Sequence, residues 1–173
     1  MKKILFVSVA SLLILACNND EKKEDAASKK DADMKALYEK NLAALKTDFA
    51  AFEKEDLTTF AAGLADSLVW NSPVYGDTIK TKAHYLEGLK YYVDNWDNIK
   101  FNDATYLPGV DSATQELDGS VRCYGRWDAV HKSGTITHSN YYATADFNKD
   151  SKITNYTEFF DVGGLMNAVT PKK

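Results

Sequence analysis

The second half of the chain carries four β-type stretches, and these constrain the fold most. They are rich in Val, Ile, Thr, Tyr, Phe and Trp and cover residues 99–106, 120–130, 135–147 and 152–160. Turn-forming segments, "KSG" and "NKDS", separate the last three stretches. Strands joined by connections this short pair antiparallel, because a parallel connection needs a crossover of about a dozen residues or more. The sequence therefore predicts an antiparallel meander.

The first half of the domain is mainly helical. Large apolar residues recur at helical spacing from Met34 to Phe52, which predicts an amphipathic helix. Asp56 is placed to cap a second short helix, and Thr81 to cap a third. A short strand ending at Pro73 lies between these two helices, and "VGGLMNAV" predicts a last helix. Helices followed by a meander indicate the α+β class, with one domain over residues 34–170.

The N-terminus has the features of an export signal. Lys2 and Lys3 precede a largely apolar run of 13 residues, which is too short to span a bilayer as a helix. The run ends in "ILAC", which resembles the lipobox of bacterial lipoprotein signal peptides. This resemblance implies that residues 1–16 are removed and that Cys17 is lipidated. We therefore expect a lipid-anchored protein of a bacterial cell envelope. The acidic residues soon after Cys17 resemble a surface-export signal of some Gram-negative lipoproteins, which would imply display on the outer membrane.

The segment after Cys17 and the charge of the chain limit the partners. Residues 18–33 contain no large apolar side chain, which predicts a flexible tether from Cys17 to the domain. Loss of two lysines with the signal changes the net charge from −4 to −6. An acidic chain argues against nucleic acid and against adhesion to anionic lipid, so the lipid on Cys17 would be the membrane contact. Lipidation of Cys17 would leave Cys123 without an internal disulfide partner.

One face of the predicted meander carries several ionisable and amide side chains. If "KSG" is a three-residue hairpin loop with Gly134 in the left-handed conformation, Asp128 lies opposite His138. If "NKDS" is a four-residue turn, His138 also lies opposite Asp161. The pairing predicts a row Asp128–His138–Asp161, with Arg126 and Asn140 one step away. A slip of the register would destroy this row.

Two segments carry a resemblance to a known family. "FEKEDLTTFAAGLADSLVWNSP" and "DSKITNYTEFFDVGGLMNA" resemble, in order and spacing, the SnoaL-like branch of the NTF2-like superfamily. The resemblance implies a cone in which N-terminal helices pack in a curved antiparallel sheet, with a pocket at the open end. The superfamily includes isomerases, dehydratases, hydrolases and binding proteins, so the fold does not decide the activity.

Part of the chain also resembles limonene-epoxide-hydrolase-like proteins. "RWD" matches their Arg-x-Asp with Arg126 and Asp128, "FFD" supplies Asp161, and "WNSP" supplies Asn71 for their water-holding asparagine. Val69 stands where those proteins carry a tyrosine, which weakens the case for epoxide hydrolysis. If the row Asp128–His138–Asp161 forms, two carboxyls share a sheltered pocket, where one keeps its proton and can act as an acid. Arg126 would orient the carboxylates, and His138 would be a further base. The alternative is a static hydrogen-bonded network of the two carboxylates and the histidine.

The opposite orientation of the sheet stays open at this stage. Val121, Cys123, Trp127 and Ala129 alternate with the polar set and are typical of a core. If they point inward, Arg126 and Asp128 form a solvated ion pair, and Trp127 and Tyr141 line the pocket. If the polar set points inward, Trp127, Tyr141 and Phe160 crowd the outer face, which would favour a homodimer. The comparison with Arg-x-Asp proteins favours the polar set inward.

Two functions are consistent with these features. The first is binding of a small, mostly apolar ligand, with contacts from Trp70, Asn71, Tyr75, Asn140 and Tyr142. The second is a cofactor-free hydrolase or isomerase that uses Asp128, Asp161, Arg126 and His138 for acid–base chemistry. No cofactor or metal site is expected, because the histidines lack ligand spacing and "DFNKDSKITNYTE" lacks the glycine and glutamate of a calcium loop.

Overall fold

The computed structural model describes residues 17–171, with side chains from residue 29 onward. From Met34 onward the described chain forms one compact unit. The predicted signal segment 1–16 and the side chain of Cys17 lie outside the described residues. The elements are four helices and five strands: α1 (Cys17–Glu53), α2 (Leu57–Ala62), β1 (Leu64–Asn71), α3 (Lys82–Asn95), β2 (Trp96–Val110), β3 (Leu117–His131), β4 (Ile136–Phe147), β5 (Ile153–Phe159) and α4 (Val162–Val169).

The five strands form one open sheet in the order β1-β5-β4-β3-β2. The strands β2 to β5 form the predicted antiparallel meander, and β1 adds to the edge of β5 in parallel. The register of the β2–β3 pair shifts at three places, so bulges interrupt that ladder. The observed elements confirm the α+β class.

The helix caps are local features, and the sequence predicts them correctly. The Asp56 carboxylate accepts a hydrogen bond from the amide of Thr59 at 2.9 Å, and the Thr81 hydroxyl accepts one from the amide of His84 at 3.2 Å. The helix α1 differs from the prediction because it begins at Cys17. Residues 18–33, predicted as a flexible tether, are therefore helical. Their composition excludes a buried face but not a helix, since Ala, Glu and Lys all favour helices.

The register of the β3–β4 hairpin agrees with the prediction, and that of the β4–β5 hairpin does not. Gly134 has a φ of +86° in the β3–β4 turn, and Asp128 pairs with His138 as expected. The β4–β5 connection contains residues 148–152 and is followed by a register shift, so that Tyr142 pairs with Phe159. The predicted pairing of His138 with Asp161 is therefore wrong, since a longer loop and a bulge displace β5 along β4.

The core lies between the helices and one face of the sheet. Leu45, Phe49 and Phe52 of α1 are buried against Val121 and Cys123 of β3. Burial of each large apolar side chain contributes about 1.5–3 kcal/mol to stability. Within the described residues, no helix is long and apolar enough to cross a membrane.

Gly125 is required in the middle of β3 by a close approach. A Cβ atom at this position would lie 2.4 Å from the Phe101 ring. That ring packs edge-on against Phe49 at 4.9 Å between centroids, so the missing side chain makes room for an aromatic cluster.

Candidate functional site

The inner face of the sheet carries the apolar set of residues. Val121 and Cys123 are buried on β3, and Trp127 and Ala129 line a cavity beyond them. Successive side chains of a strand point to opposite faces. Arg126 and Asp128 therefore lie on the outer face, and the prediction that the polar set faces the pocket is wrong. The alternative orientation, with Trp127 and Tyr141 toward the pocket, is the observed one.

The outer polar residues form a compact network around Asp128. Arg126 donates two hydrogen bonds to its carboxylate at 2.8 and 3.1 Å, and Asn102 donates one at 2.6 Å. Nδ1 of His138 lies 2.6 Å from the same carboxylate, and Asp103 pairs with Arg126 at 2.9 Å. The Arg126 hydrogen bond is the main cause that holds the pKa of Asp128 well below its usual range. A half-buried carboxylate whose ionised form is favoured in this way is poorly suited to donate a proton, and it holds the network together instead.

Asp161 has a structural position at the start of α4. Its carboxylate accepts a hydrogen bond from the amide of Gly164 at 2.8 Å, which caps the helix. A Cβ atom at Gly164 would lie 2.2 Å from this carboxylate, so the glycine permits the close approach. The prediction that Asp161 joins Asp128 and His138 is wrong, because the chain leaves the sheet after Phe159.

Only one of the five expected ligand contacts lies at a cavity. Trp70 lines the second cavity described below. Asn71, one residue on, faces the other way and donates hydrogen bonds to Asn155 and Thr157. Tyr75 is fully exposed in the loop after β1. Asn140 and Tyr142 lie on the outer face opposite Arg126 and Tyr124, so these four expectations are corrected by the orientation of the strands and the loop.

Two adjacent cavities lie between the helices and the inner face of the sheet. The first has a volume of about 90 Å³, and ten of its seventeen lining residues are aromatic. The second has a volume of about 250 Å³ and is bordered by α3, α4 and the loop after β1. Five lining residues are common to both cavities: Tyr85, Leu89, Tyr92, Glu158 and Phe160. These five residues form the wall between the two cavities, and Glu158 is the one carboxyl among them.

Glu158 is the polar centre of this wall. It lies on β5, only 8% exposed, and accepts hydrogen bonds from Nε1 of Trp70 at 2.9 Å and from the Tyr141 hydroxyl at 2.6 Å. Burial raises the pKa of Glu158 to about 7, although the bonds from Tyr141 and Trp70 lower it in part. The carboxyl therefore changes its charge near neutral pH.

A second tyrosine extends the hydrogen-bonded chain. The hydroxyls of Tyr141 and Tyr156 lie 2.6 Å apart, and either can be the donor. When Glu158 is ionised, Tyr156 donates to Tyr141 and Tyr141 donates to Glu158. When Glu158 is protonated, it can donate to Tyr141, which then donates to Tyr156. Both charge states of Glu158 are thus compatible with a bonded chain.

Asp48 is a further buried carboxyl near this chain. It is 4% exposed, and its Oδ2 atom has no hydrogen-bond partner within the described part of the chain. Burial raises the pKa of Asp48 to about 7, and Asp48 contributes to the raised pKa values of Tyr85 and Tyr156. Gly63 lies directly beside it, with room for no Cβ atom. Asp48 lines neither of the two cavities.

The sequence carries one signal that Glu158 is a buried site residue. In "ITNYTEFF", Glu158 falls between Tyr156 and Phe160 on the same strand face. An acidic residue on an aromatic face indicates a buried carboxyl, once that face is known to point inward. Among the described residues, no three His, Cys, Asp or Glu side chains come together in a way that could hold a metal ion.

The fold is the NTF2-like fold, as comparison with solved structures shows. A candidate isomerase from Bacillus subtilis matches with a TM-score of 0.64 and 18% identity, over 76% of this chain and 94% of that one. A candidate polyketide cyclase from Xanthomonas campestris pv. campestris matches with a TM-score of 0.63 and 16% identity, over 78% and 99% of the two chains. Other matched structures are described as SnoaL-like or NTF2-like.

The similarity extends to an enzyme of polyether synthesis. The epoxide hydrolase/cyclase-like enzyme of pyran-ring formation in salinomycin matches with a TM-score of 0.54 and 19% identity, over 72% of this chain and 93% of that chain. No protein-family model matches the sequence, and no curated protein matches it. The chain thus has the NTF2-like fold that the sequence resemblance predicted, and SnoaL-like proteins are among the matched structures.

Proposed function

We propose that this protein binds a small, mostly apolar molecule in the two cavities, with a polar group of the ligand at Glu158. The observation that carries the proposal is a single carboxyl in the wall between two aromatic-rich cavities. A pocket with apolar walls and few polar groups is the usual form of a small-molecule site, and the polar group sets the orientation of the ligand. The matched candidate cyclases and isomerases are consistent with a small organic ligand.

Intrinsic fluorescence offers a direct test. The chain has three tryptophans, and all of them line the cavities: Trp70, Trp96 and Trp127. Titration of the full-length chain with benzyl alcohol should change the tryptophan emission in a saturable way. Glu158→Gln should weaken this binding severalfold, whereas the exposed Glu39→Gln should not. A linear, unsaturable response would contradict the proposal, as would native mass spectra in which no added ligand is retained.

Acid–base catalysis is a second candidate function, and one observation favours it. A base is most effective when its pKa lies near the working pH, and Glu158 meets this condition with a two-tyrosine chain behind it. In this role Glu158, rather than Asp128 and Asp161, would take a proton from the ligand. Deuterium uptake from D2O by cyclohexanone, followed by NMR, tests the candidate. The native chain should catalyse this exchange at least tenfold faster than Glu158→Gln. Equal rates would exclude catalysis by Glu158 and leave ligand binding as the proposed function.

We further propose that Cys17 carries the lipid that anchors the protein to the cell envelope. The "ILAC" sequence supports cleavage before Cys17, and an acyl-bearing cysteine is a sufficient membrane anchor when it carries two or more chains. Cells fed an alkyne-labelled palmitate should label the native chain. Cys17→Ser should lose the label and move the protein to the soluble fraction, whereas Cys123→Ser should keep both properties.

A further inference from the structure

We infer that the ligand is an organic cation: an ammonium group carried on an aromatic or alicyclic body. The inference rests on the proposed function and names the chemical class of the ligand. It follows from three features of the cavity wall, namely its charge, its aromatic content and the bonding of its carboxyl group.

The charge of the lining is one-sided. Glu158 is the only carboxyl among the described residues that line the two cavities, and no Lys, Arg or His lines either one. An anionic ligand would meet a like charge with no cation to offset it. Burial of an unpaired anion costs several kcal/mol, so the wall disfavours carboxylates and phosphates.

The bonding of Glu158 leaves a place for a cation. Its two oxygens accept bonds from the neutral donors Trp70 and Tyr141, one on each oxygen. Each carboxylate oxygen can accept a further bond. Burial is the main cause of its raised pKa, and no cationic side chain is among the groups that lower this pKa. An ionised Glu158 therefore lacks a counter-charge, and a ligand ammonium would supply one.

The aromatic residues suit the same ligand. Ammonium groups are attracted to the faces of aromatic rings, and indole is the best of these rings. Trp96 and Trp127 line the first cavity, and Trp70 lines the second. A neutral apolar ligand would gain from the burial of its surface against these rings, but only a cation gains from their negative faces as well.

Binding of a cation has a consequence for protons. An opposite charge beside a carboxyl favours the ionised form and lowers its pKa. Below neutral pH much of Glu158 is protonated in the free protein, since burial raises its pKa to about 7. An ammonium ligand would therefore displace a proton from Glu158 to the solvent. A neutral ligand that accepts a hydrogen bond from the protonated carboxyl would instead retain the proton.

Three ligands of similar shape and different charge test the inference: benzylamine, benzyl alcohol and benzoate. Calorimetry of the full-length chain at about pH 8 should show benzylamine binding about tenfold more tightly than benzyl alcohol, and no binding of benzoate. At about pH 6, calorimetry in two buffers of different ionisation enthalpy should show release of a large fraction of one proton per bound benzylamine. Glu158→Gln should remove both the preference and the proton release, whereas Glu39→Gln should keep them.

The possible outcomes separate this inference from the proposed function. Equal affinity for benzylamine and benzyl alcohol, or binding without proton release, overturns the inference and leaves the binding function standing. Preferential binding of benzoate also overturns it. Absence of binding by all three ligands counts against the proposed function itself. The comparison of ligands uses the unaltered chain, so the result does not depend on whether Glu158→Gln folds.

Discussion

Two carboxyls on different strands of one sheet, Glu158 on β5 and Asp128 on β3, have opposite properties because they lie on opposite faces. Glu158 is buried on the inner face, and burial raises its pKa to about 7. Asp128 lies on the outer face, where hydrogen bonds from Arg126 hold its pKa well below the usual range. Both carboxyls have several hydrogen-bond partners. The difference between their pKa values therefore comes from their different burial and from the charge of the Arg126 donor. Of these two carboxyls, only Glu158 has a pKa near neutral pH, which is the condition for an efficient general base.

Removal of the Tyr141 hydroxyl should change the titration of Glu158. The hydrogen bond from Tyr141 lowers the pKa of Glu158, so Tyr141→Phe should raise it further above its ordinary value. The change also removes the partner of the Tyr156 hydroxyl, which should cost about 1–3 kcal/mol of stability. Carbon-13 NMR titration and urea unfolding measure the two effects. The exposed Tyr75→Phe should change neither, and an unchanged or lower Glu158 pKa would refute this account of the chain.

At the level of elements, a helix and a strand set the walls of the site. The helix α4 follows β5 directly and contributes Leu165 to the first cavity and Val162 and Met166 to the second. Its position depends on the Asp161 cap. The register of β5 against β4, which shifts between Asp146 and Phe147, fixes the position of Glu158 along the sheet. The helix cap and the strand pairing that hold these two elements therefore lie outside the cavities.

The capping role of Asp161 predicts a difference between two variants. Asp161→Ala removes the bond to the Gly164 amide and should cost about 1 kcal/mol of stability and weaken ligand binding severalfold through α4. Asp161→Asn should retain both properties, because asparagine caps helices about as well as aspartate. If Asp161 acted as a catalytic acid instead, Asp161→Asn would lose function although its stability stayed unchanged. Thermal unfolding and fluorescence titration of both variants decide between a cap and a catalytic acid.

The outer face of the sheet offers a surface for self-association. Trp127, Tyr141 and Phe160, which were expected there, line the inner cavity instead. The outer face carries a different row across β3, β4 and β5, in which the Tyr142 ring stacks on Tyr124 at 4.7 Å and on Phe159 at 5.5 Å between centroids.

We predict that this outer row supports a homodimer, since exposed aromatic patches favour association. Analytical ultracentrifugation of the full-length chain should show a dimer. Phe159→Ser should shift it toward monomer, because Phe159 is 55% exposed at one end of the row. The equally apolar and exposed Ile136→Ser, at the far end of β4, serves as the control. A native chain that remains monomeric at high concentration would contradict the prediction.

For the whole molecule, the two buried carboxyls link stability to pH. Asp48 and Glu158 have ordinary pKa values of 3.8 and 4.5, and burial raises each to about 7 in the folded chain. The folded state therefore holds these protons more tightly than the unfolded state. The stabilisation is complete below the ordinary values and is lost as pH rises toward 7. At about 1.4 kcal/mol per pKa unit, the two shifts correspond to about 4 kcal/mol for Asp48 and about 3 kcal/mol for Glu158.

The chain should consequently be more stable at pH 5 than at pH 8. Urea unfolding at the two pH values measures the difference, and Asp48→Asn and Glu158→Gln should each reduce it. His84 has a pKa raised by Asp77 and acts in the same direction, so the variants rather than the native slope isolate the carboxyls. Glu39→Gln should leave the difference unchanged. A native chain that is more stable at pH 8 would show that the two carboxyls stay ionised when folded.

Features with a local cause could be predicted from the sequence. Asp56 and Thr81 cap their helices because a capping side chain needs only the next turn of backbone. The β3–β4 register follows from one short turn with Gly134 in the left-handed conformation. Element order and the α+β class follow from the periodicity of apolar residues. These features would be the same whichever way the sheet faced.

Only the tertiary structure decided which face of the sheet points inward. Each face carries both aromatic and acidic side chains, with Tyr141 and Glu158 on the inner face and Tyr142 and Asp128 on the outer face, so alternation alone cannot distinguish the faces. The choice came from packing: Phe49 and Phe52 of α1 contact the Trp127 ring at 5.3 Å, and a strand that presents Trp127 inward must present Asp128 outward. The same choice buried Glu158. The candidate site therefore exists only because distant helices pack on that face.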